Sequence, residues 1–134
     1  MITWQGIQRH LRSNHEPAMD EPDWLGLLAP CNGILRKVRV LHLQDQGAVR
    51  IAVEVGGEHT MNHRQALRCN QALVASALCL EDRGLYVLRS QRTLDELTAA
   101  SFQRLLDAVL HELTMVTRVT GESLDTDNYS MYAE

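Results

Sequence analysis

Residues 72–97 read ALVASALCLEDRGLYVLRSQRTLDEL, and this stretch decides how the chain folds. It runs from one apolar segment through a charged turn, Glu81-Asp82-Arg83-Gly84, into a second apolar segment. Segments rich in Leu, Val and Tyr on either side of a short glycine-containing turn are typical of a β-hairpin. We therefore expect two antiparallel strands here, followed by the start of a helix.

The predicted helix that follows the hairpin is long and amphipathic. Thr98 is a capping residue at its start, and Gly121 marks its end. Its apolar residues recur at helical spacing: Phe102, Leu105, Leu106, Val109, Leu110, Leu113 and Val116. Residues 122–134 are polar and acidic, so we expect one α+β domain over residues 1–121 and a C-terminal tail that frays.

Two shorter helices are predicted earlier in the chain. Trp4, Ile7 and Leu11 lie on one stripe of a helix that ends near Ser13. Asn62 is a plausible cap for the second helix. The stripe of that second helix consists of Ala66, Leu67, Asn70, Leu73 and Val74.

The segments between these helices alternate with a period of two, which is typical of strands. Residues 34–44, ILRKVRVLHLQ, and residues 48–55, AVRIAVEV, are joined by a turn too short for a parallel crossover, so they form an antiparallel pair. The upstream LGLLAPCNG is a candidate for a further strand, confined to an edge by Pro30. Residues 13–24 contain two prolines and four acids and are expected to form an exposed connection.

Composition limits the classes of function. The 134 residues contain no run of 18 apolar residues and no secretory signal, so we expect a soluble, cytoplasmic protein without membrane insertion. The formal charge of -4, with no cluster of Lys or Arg, makes nucleic acid a poor partner. The cysteines Cys31, Cys69 and Cys79 form no CxxC pair and are interpreted as reduced thiols.

The order of elements resembles that of the class I type III secretion chaperones, the family that includes the Tir chaperone. The resemblance lies in residues 66–119, which contain ALRCNQALVASALCLEDRGLYVLRSQRTLDEL and SFQRLLDAVLHEL. The N-terminal half departs from the family pattern, because HEPAMDEPDWLGLLAPCNG at 15–33 looks like an altered or inserted connection. The resemblance implies a twisted antiparallel sheet with three helices, in the order α-β-β-(β)-α-β-β-α.

The resemblance also implies a homodimer that binds the N-terminal segment of a secreted effector and keeps it competent for export. A secretion ATPase is a further candidate partner. The dimer contacts correspond to Leu67, Asn70, Leu73, Val74 and Leu78. The effector-binding residues correspond to Ile2, Trp4, Ile7, Leu11, Leu41, Leu43, Ile51 and Val53.

Other interpretations of these residues remain open. The apolar stripe of the first helix can equally pack on the sheet as ordinary core. His59 and His63 have a spacing that could place two imidazoles on a metal, with Cys69 not far away, but no third ligand at fixed spacing and no HExxH motif is present. We expect no metal, cofactor or catalytic residue. The alternative functions are a regulatory adaptor of the same fold and a small α+β enzyme with a site at His59 and His63.

Overall fold

Three helices and six strands form in the part of the chain that the computed structural model describes, residues 1–57 and 60–133, with side chains through residue 119. The helices are α1 (Trp4–Asn14), α2 (His63–Ala72) and α3 (Ala99–Ala133). The strands are β1 (Met19–Glu21), β2 (Trp24–Cys31), β3 (Ile34–Leu43), β4 (Ala48–Gly57), β5 (Ala77–Leu80) and β6 (Leu85–Thr93).

All six strands belong to one antiparallel sheet with the order β1-β2-β3-β4-β6-β5. Helix α3 contacts β4, β2 and α1, whereas α2 contacts the edge strand β5. The predicted α+β class, the three helices and both predicted hairpins are confirmed.

One face of the sheet supplies the core. Val40 pairs with Ile51, and Val53 pairs with both Val38 and Leu88, so apolar side chains stand next to each other across three neighbouring strands. All five side chains are almost completely buried. Alternate residues of a strand point to opposite faces, so the same pairing directs the intervening polar residues away from the core.

Helices α1 and α3 close this apolar face. Phe102 and Leu113 of α3 and Ile7 and Leu11 of α1 have no exposed surface and share one apolar cluster with the sheet. Thr98 caps α3 as predicted, because its Oγ1 accepts a 3.1 Å hydrogen bond from the amide of Ser101.

Helix α3 ends later than the sequence predicts. It continues through Gly121 to Ala133, so the predicted end at Gly121 is wrong. A glycine within a helix costs only about 1 kcal/mol relative to alanine and does not by itself end it. Side chains from residue 120 onward lie outside the described residues, and the division into a domain and a tail stays a prediction.

Helix α2 begins as predicted and ends early. Asn62 and Gln65 form a reciprocal capping box at its start. The helix stops at Ala72, so Leu73 and Val74 lie beyond it, and their assignment to a helical stripe is wrong. Their main chain instead leads into β5.

The N-terminal connection is more ordered than the sequence predicts. The candidate strand upstream is confirmed as β2, and β1 adds three exposed residues beside its first half. Pro30 of β2 lies beyond the residues that pair with β1, so among the described residues this part of β2 has a free edge on that side. The lack of an N–H at Pro30 therefore costs no hydrogen bond to β1, in agreement with the predicted edge position. Asn32 and Gly33, with φ values of 51° and 81°, form the tight turn to β3.

Replacement of Trp4 tests the packing of α1. Trp4 is 4% exposed, and its Nε1 donates a 2.8 Å hydrogen bond to the carbonyl of Pro22. We expect Trp4→Ala to lower the free energy of unfolding by about 3–5 kcal/mol in chemical denaturation. Trp24→Ala, on a partly exposed tryptophan, is the matched control and should cost less than half as much. Equal losses for the two variants would contradict the packing described here.

Candidate partner-binding surfaces

Most of the predicted effector-binding residues are buried in the folded chain. The fully or almost fully buried members are Ile2, Trp4, Ile7, Leu11, Ile51 and Val53. Leu41 and Leu43 lie on the opposite face of the sheet and are partly exposed. The α1 stripe therefore packs as core, and its predicted role in binding an effector stays a prediction.

The edge of Trp4 nevertheless reaches a surface groove. Its ring stacks on the imidazole of His42, with centroids 5.1 Å apart and ring planes 10° from parallel. Two cavities of about 350 Å³ each are lined by His42. Both cavities contact His42 and Gln46, and we call the two together the N-terminal groove. Its lining residues are Met1, Ile2, Thr3, Trp4, Gln5, Asp23, His42, Leu43, Gln44, Asp45, Gln46, Gly47, Thr93, Leu94 and Asp95.

The N-terminal groove combines apolar and acidic side chains. Asp23, Asp45 and Asp95 line it, and none of the described lining residues is Lys or Arg. Its apolar members include Leu43 and Leu94. Apolar pockets beside unpaired carboxylates suit a segment that carries both apolar and basic side chains.

The predicted dimer residues divide into exposed and buried groups. Leu67 is 67% exposed and Val74 is 90% exposed, which is unusual for large apolar side chains on a folded domain. Met115 on α3 is also exposed. A cavity of about 370 Å³ separates α2 from α3, and its lining is mostly apolar: Gln65, Arg68, Cys69, Ala72, Leu73, Met115, Val116 and Val119.

Asn70 and Leu78 make a contact within the chain. The Asn70 amide donates a 3.1 Å hydrogen bond to the Leu78 carbonyl, and its oxygen accepts a 2.7 Å bond from the Leu78 amide. These two hydrogen bonds to the main chain resemble those that a neighbouring strand would make, and they hold α2 against the outer edge of β5. Asn70 thus positions the exposed surface of α2, whatever that surface binds.

Glu112 of α3 anchors the connection between α2 and β5. Its carboxylate accepts bonds from the amides of Val74 and Ala75, at 2.8 and 3.1 Å, and from Ser76 Oγ at 2.6 Å. Burial raises the pKa of Glu112, but these hydrogen bonds outweigh burial and hold the pKa below its usual range. The carboxylate fixes the backbone that presents Val74 to solvent.

Replacement of Glu112 tests this anchor. A pKa lowered by folding means that Glu112 stabilises the chain above the ordinary glutamate pKa of about 4.3, and that this stabilisation is lost as the pH falls. We expect Glu112→Gln to lower the free energy of unfolding at pH 7 by about 1–3 kcal/mol and to flatten its decline between pH 5 and pH 3. The exposed Glu96→Gln is the control, and an equal effect of both variants would contradict the anchor.

The described residues contain no group of three or more His, Cys, Asp or Glu that could hold a metal ion. His59 lies outside the described residues, so the predicted spacing of His59 and His63 is not tested. His63 Nδ1 contacts the hydroxyl of the buried Tyr86 at 2.5 Å. Burial raises the pKa of the Cys69 thiol, which disfavours the nucleophilic thiolate.

The sheet surface that faces away from α1 and α3 is a feature that the sequence analysis overlooked. We call it the open face and define it by Trp24, Gly26, Leu28, Leu35, Lys37, Arg39, Leu41, Arg50, Ala52, Glu54, Ala77, Val87 and Arg89. The alternation of ILRKVRVLHL already indicated this face, because alternate residues of a strand lie on the same side. Lys37 and Arg39 therefore share one face with Leu35 and Leu41.

No helix among the described residues is both long and apolar enough to cross a membrane.

Comparison with known proteins supports the fold through structure rather than sequence. No protein-family model matches the chain, and no curated protein matches it significantly. A chain of the HopA1–SchA chaperone–effector complex matches with a TM-score of 0.66 at 10% identity, covering 84% of this chain and 90% of that one. A chain of the ExsC–ExsE complex matches with a TM-score of 0.65 at 18% identity, covering 87% and 96%.

Two further matches come from structures described as parts of type III secretion systems. A chain of the heterodimeric ExoU–SpcU complex of Pseudomonas aeruginosa gives a TM-score of 0.60 at 17% identity and covers 81% of this chain and 92% of its own length. The Yersinia pestis type III secretion chaperone SycH, in complex with a fragment of YscM2, gives 0.54 at 12% identity, covering 82% and 95%. The chain has the fold of type III secretion chaperones. This agrees with the resemblance seen in residues 66–119 and extends it over the N-terminal half.

Proposed function

We propose that this protein is a non-enzymatic type III secretion chaperone that acts in the bacterial cytoplasm. It binds the N-terminal segment of a secreted effector as a homodimer and keeps that segment soluble and competent for export. The observation that carries the proposal is the fold, which covers most of the chain and matches structures described as chaperone complexes with bound partners.

The N-terminal groove is the proposed effector-binding site. It replaces the buried α1 stripe as the contact surface, while Trp4 and Ile2 contribute its floor. Because the groove is lined by several apolar side chains and three aspartates, we propose that the bound segment carries alternating apolar and basic residues. Leu43, at the end of β3, is a further predicted binding residue that lines this groove.

Co-purification from the native bacterial host tests the proposal. The full chain with a C-terminal affinity tag should retain one dominant protein, which mass spectrometry identifies as a substrate of the type III secretion system. Limited proteolysis of the complex should leave the N-terminal segment of that protein bound. Retention of a non-secreted transcriptional regulator would instead favour the adaptor function, and retention of neither would contradict the proposal.

Charge reversal in the N-terminal groove tests the location of the site. Asp45→Lys combined with Asp95→Lys should reduce the amount of co-purified partner at least tenfold, because both changes oppose a basic segment. Asp82→Lys, at the exposed turn of the β5–β6 hairpin, makes half of this charge change away from the groove and should leave the yield unchanged. Equal yields from all three proteins would place the site elsewhere.

The exposed surface of α2 and its C-terminal connection is the proposed dimer contact. Light scattering at micromolar concentration should give twice the chain mass, because Leu67 and Val74 form an apolar patch that a second copy can cover. Val74→Asp should shift the protein towards monomer without changing its circular dichroism, because Val74 is 90% exposed in the single chain. Thr93→Asp, at an exposed site on β6, is the control. A wild-type monomer would contradict the dimer.

A further inference from the structure

The open face carries four basic side chains, none of which forms an ion pair with a described carboxylate. They are Lys37, Arg39, Arg50 and Arg89. The one ion pair among the described side chains joins Arg12 to Asp20, on the other side of the sheet. Positive charge is thus concentrated on a surface that neither α1 nor α3 covers.

The strand register arranges two of these cations in a regular row across the sheet. Arg39 pairs with Gly26 on one side and Ala52 on the other, and Arg89 pairs with Ala52 and Ala77. Each arginine therefore stands between small residues, two strand spacings from the other, which corresponds to about 10 Å. Arg39 is exposed and Arg89 is partly exposed.

Aromatic and apolar surface flanks this row. Lys37 Nζ and Arg39 Cζ lie 5.5 and 5.9 Å from the centre of the Trp24 ring. These contacts hold the two cations over a partly exposed aromatic ring without neutralising them. Leu28 and Leu35, which are 53% and 64% exposed, lie on the same face.

A shallow cavity of about 260 Å³ opens beside the row. Leu35, Ala52 and Val87 form its apolar floor. Glu54 and Glu81 border this cavity, and Glu21 lies at the far end of the face beside Trp24. Glu54 lies on the open face itself, and Lys37 and Arg39 line the same cavity. Basic side chains still outnumber the acidic ones on this face.

We propose that the open face binds a second, acidic part of the partner polypeptide, in extended conformation. Carboxylates of that segment bind Arg39 and Arg89, and an apolar side chain enters the cavity at Leu35 and Val87. Guanidinium groups bind carboxylates with two parallel hydrogen bonds, which favours an acidic segment over a basic or neutral one. This inference rests on the proposed chaperone function and assigns the open face a partner chemistry opposite to that of the N-terminal groove.

Fluorescence anisotropy with synthetic peptides tests the proposal. The probes are two labelled peptides of about ten residues, long enough when extended to cross the sheet at about 33 Å. One alternates leucine with glutamate, and the other alternates leucine with lysine. The acidic peptide should bind the full chain, and higher salt should weaken its binding. The lysine peptide should bind at the acidic N-terminal groove instead, so its binding should not depend on Arg39 and Arg89.

Variants assign that binding to the open face. Arg39→Glu combined with Arg89→Glu should weaken binding of the acidic peptide at least tenfold. Arg9→Glu combined with Arg104→Glu, on the exposed sides of α1 and α3, makes the same change in net charge and should have no such effect. Absence of acidic-peptide binding, or equal effects of the two double variants on it, would overturn the inference.

The natural complex separates this inference from the proposed function. The wild-type chain and the Arg39→Glu, Arg89→Glu variant are each purified from the native host. If both retain the same amount of effector, the chaperone function stands and the open-face inference fails. If the wild-type chain retains no secretion substrate, the proposed function fails, while the peptide comparison still decides the charge preference of the open face.

Discussion

The burial of one sheet face by α1 and α3 is the constraint on which the rest of the molecule depends. Val40, Ile51 and Leu88 of the sheet have no exposed surface, and neither have Ile7 of α1 and Phe102 of α3. Because side chains alternate along every strand, this single apolar face dictates where the remaining residues point. Polar and basic residues of β3, β4 and β6 are consequently displayed together on the open face.

The same constraint explains how a domain of this size offers several binding surfaces. The N-terminal groove forms where α1 meets the ends of β3 and β6, and the exposed surface of α2 forms because α2 lies at the β5 edge of the sheet. Asn70 and Glu112 hold that edge in place through hydrogen bonds to main-chain groups. These surfaces are thus set by the packing of the core and need no change of fold to become accessible.

Charge is distributed unevenly along the chain. The 13 basic residues all precede residue 122, whereas Glu122, Asp125, Asp127 and Glu134 supply the whole formal excess of -4. Residues 1–121 are therefore balanced in formal charge, and the acidic composition says little about the partner. The location of charge is more informative, since the N-terminal groove is acidic and the open face is basic.

The sequence predicted the elements with strong periodicity and was least informative about the surfaces. The alternation in β4 and the spacing of α3 both arise from direct burial in the core, so their patterns are clear. Strand β1 has three exposed residues and forms through main-chain pairing, which leaves no hydrophobic pattern to detect. The Asn32-Gly33 turn was a recognisable signal that the sequence analysis passed over.

The binding residues were harder to predict for a physical reason. An amphipathic stripe such as Trp4, Ile7 and Leu11 has the same spacing whether it faces a core or a partner. Only the fold shows that these side chains are buried and that a groove opens at the edge of Trp4. The open face was missed because its arginines come from strands that are distant in the sequence and become neighbours through the register.

Hydrogen exchange of the chain with and without its co-expressed partner tests the central claim most directly. The turn at Gln44–Gln46 and the residues preceding α1 line the N-terminal groove outside the sheet ladder. We predict that partner binding slows amide exchange at these segments and leaves the exposed side of α3 unchanged. Unchanged exchange at both segments in a verified complex would contradict the assignment of the groove as the binding site.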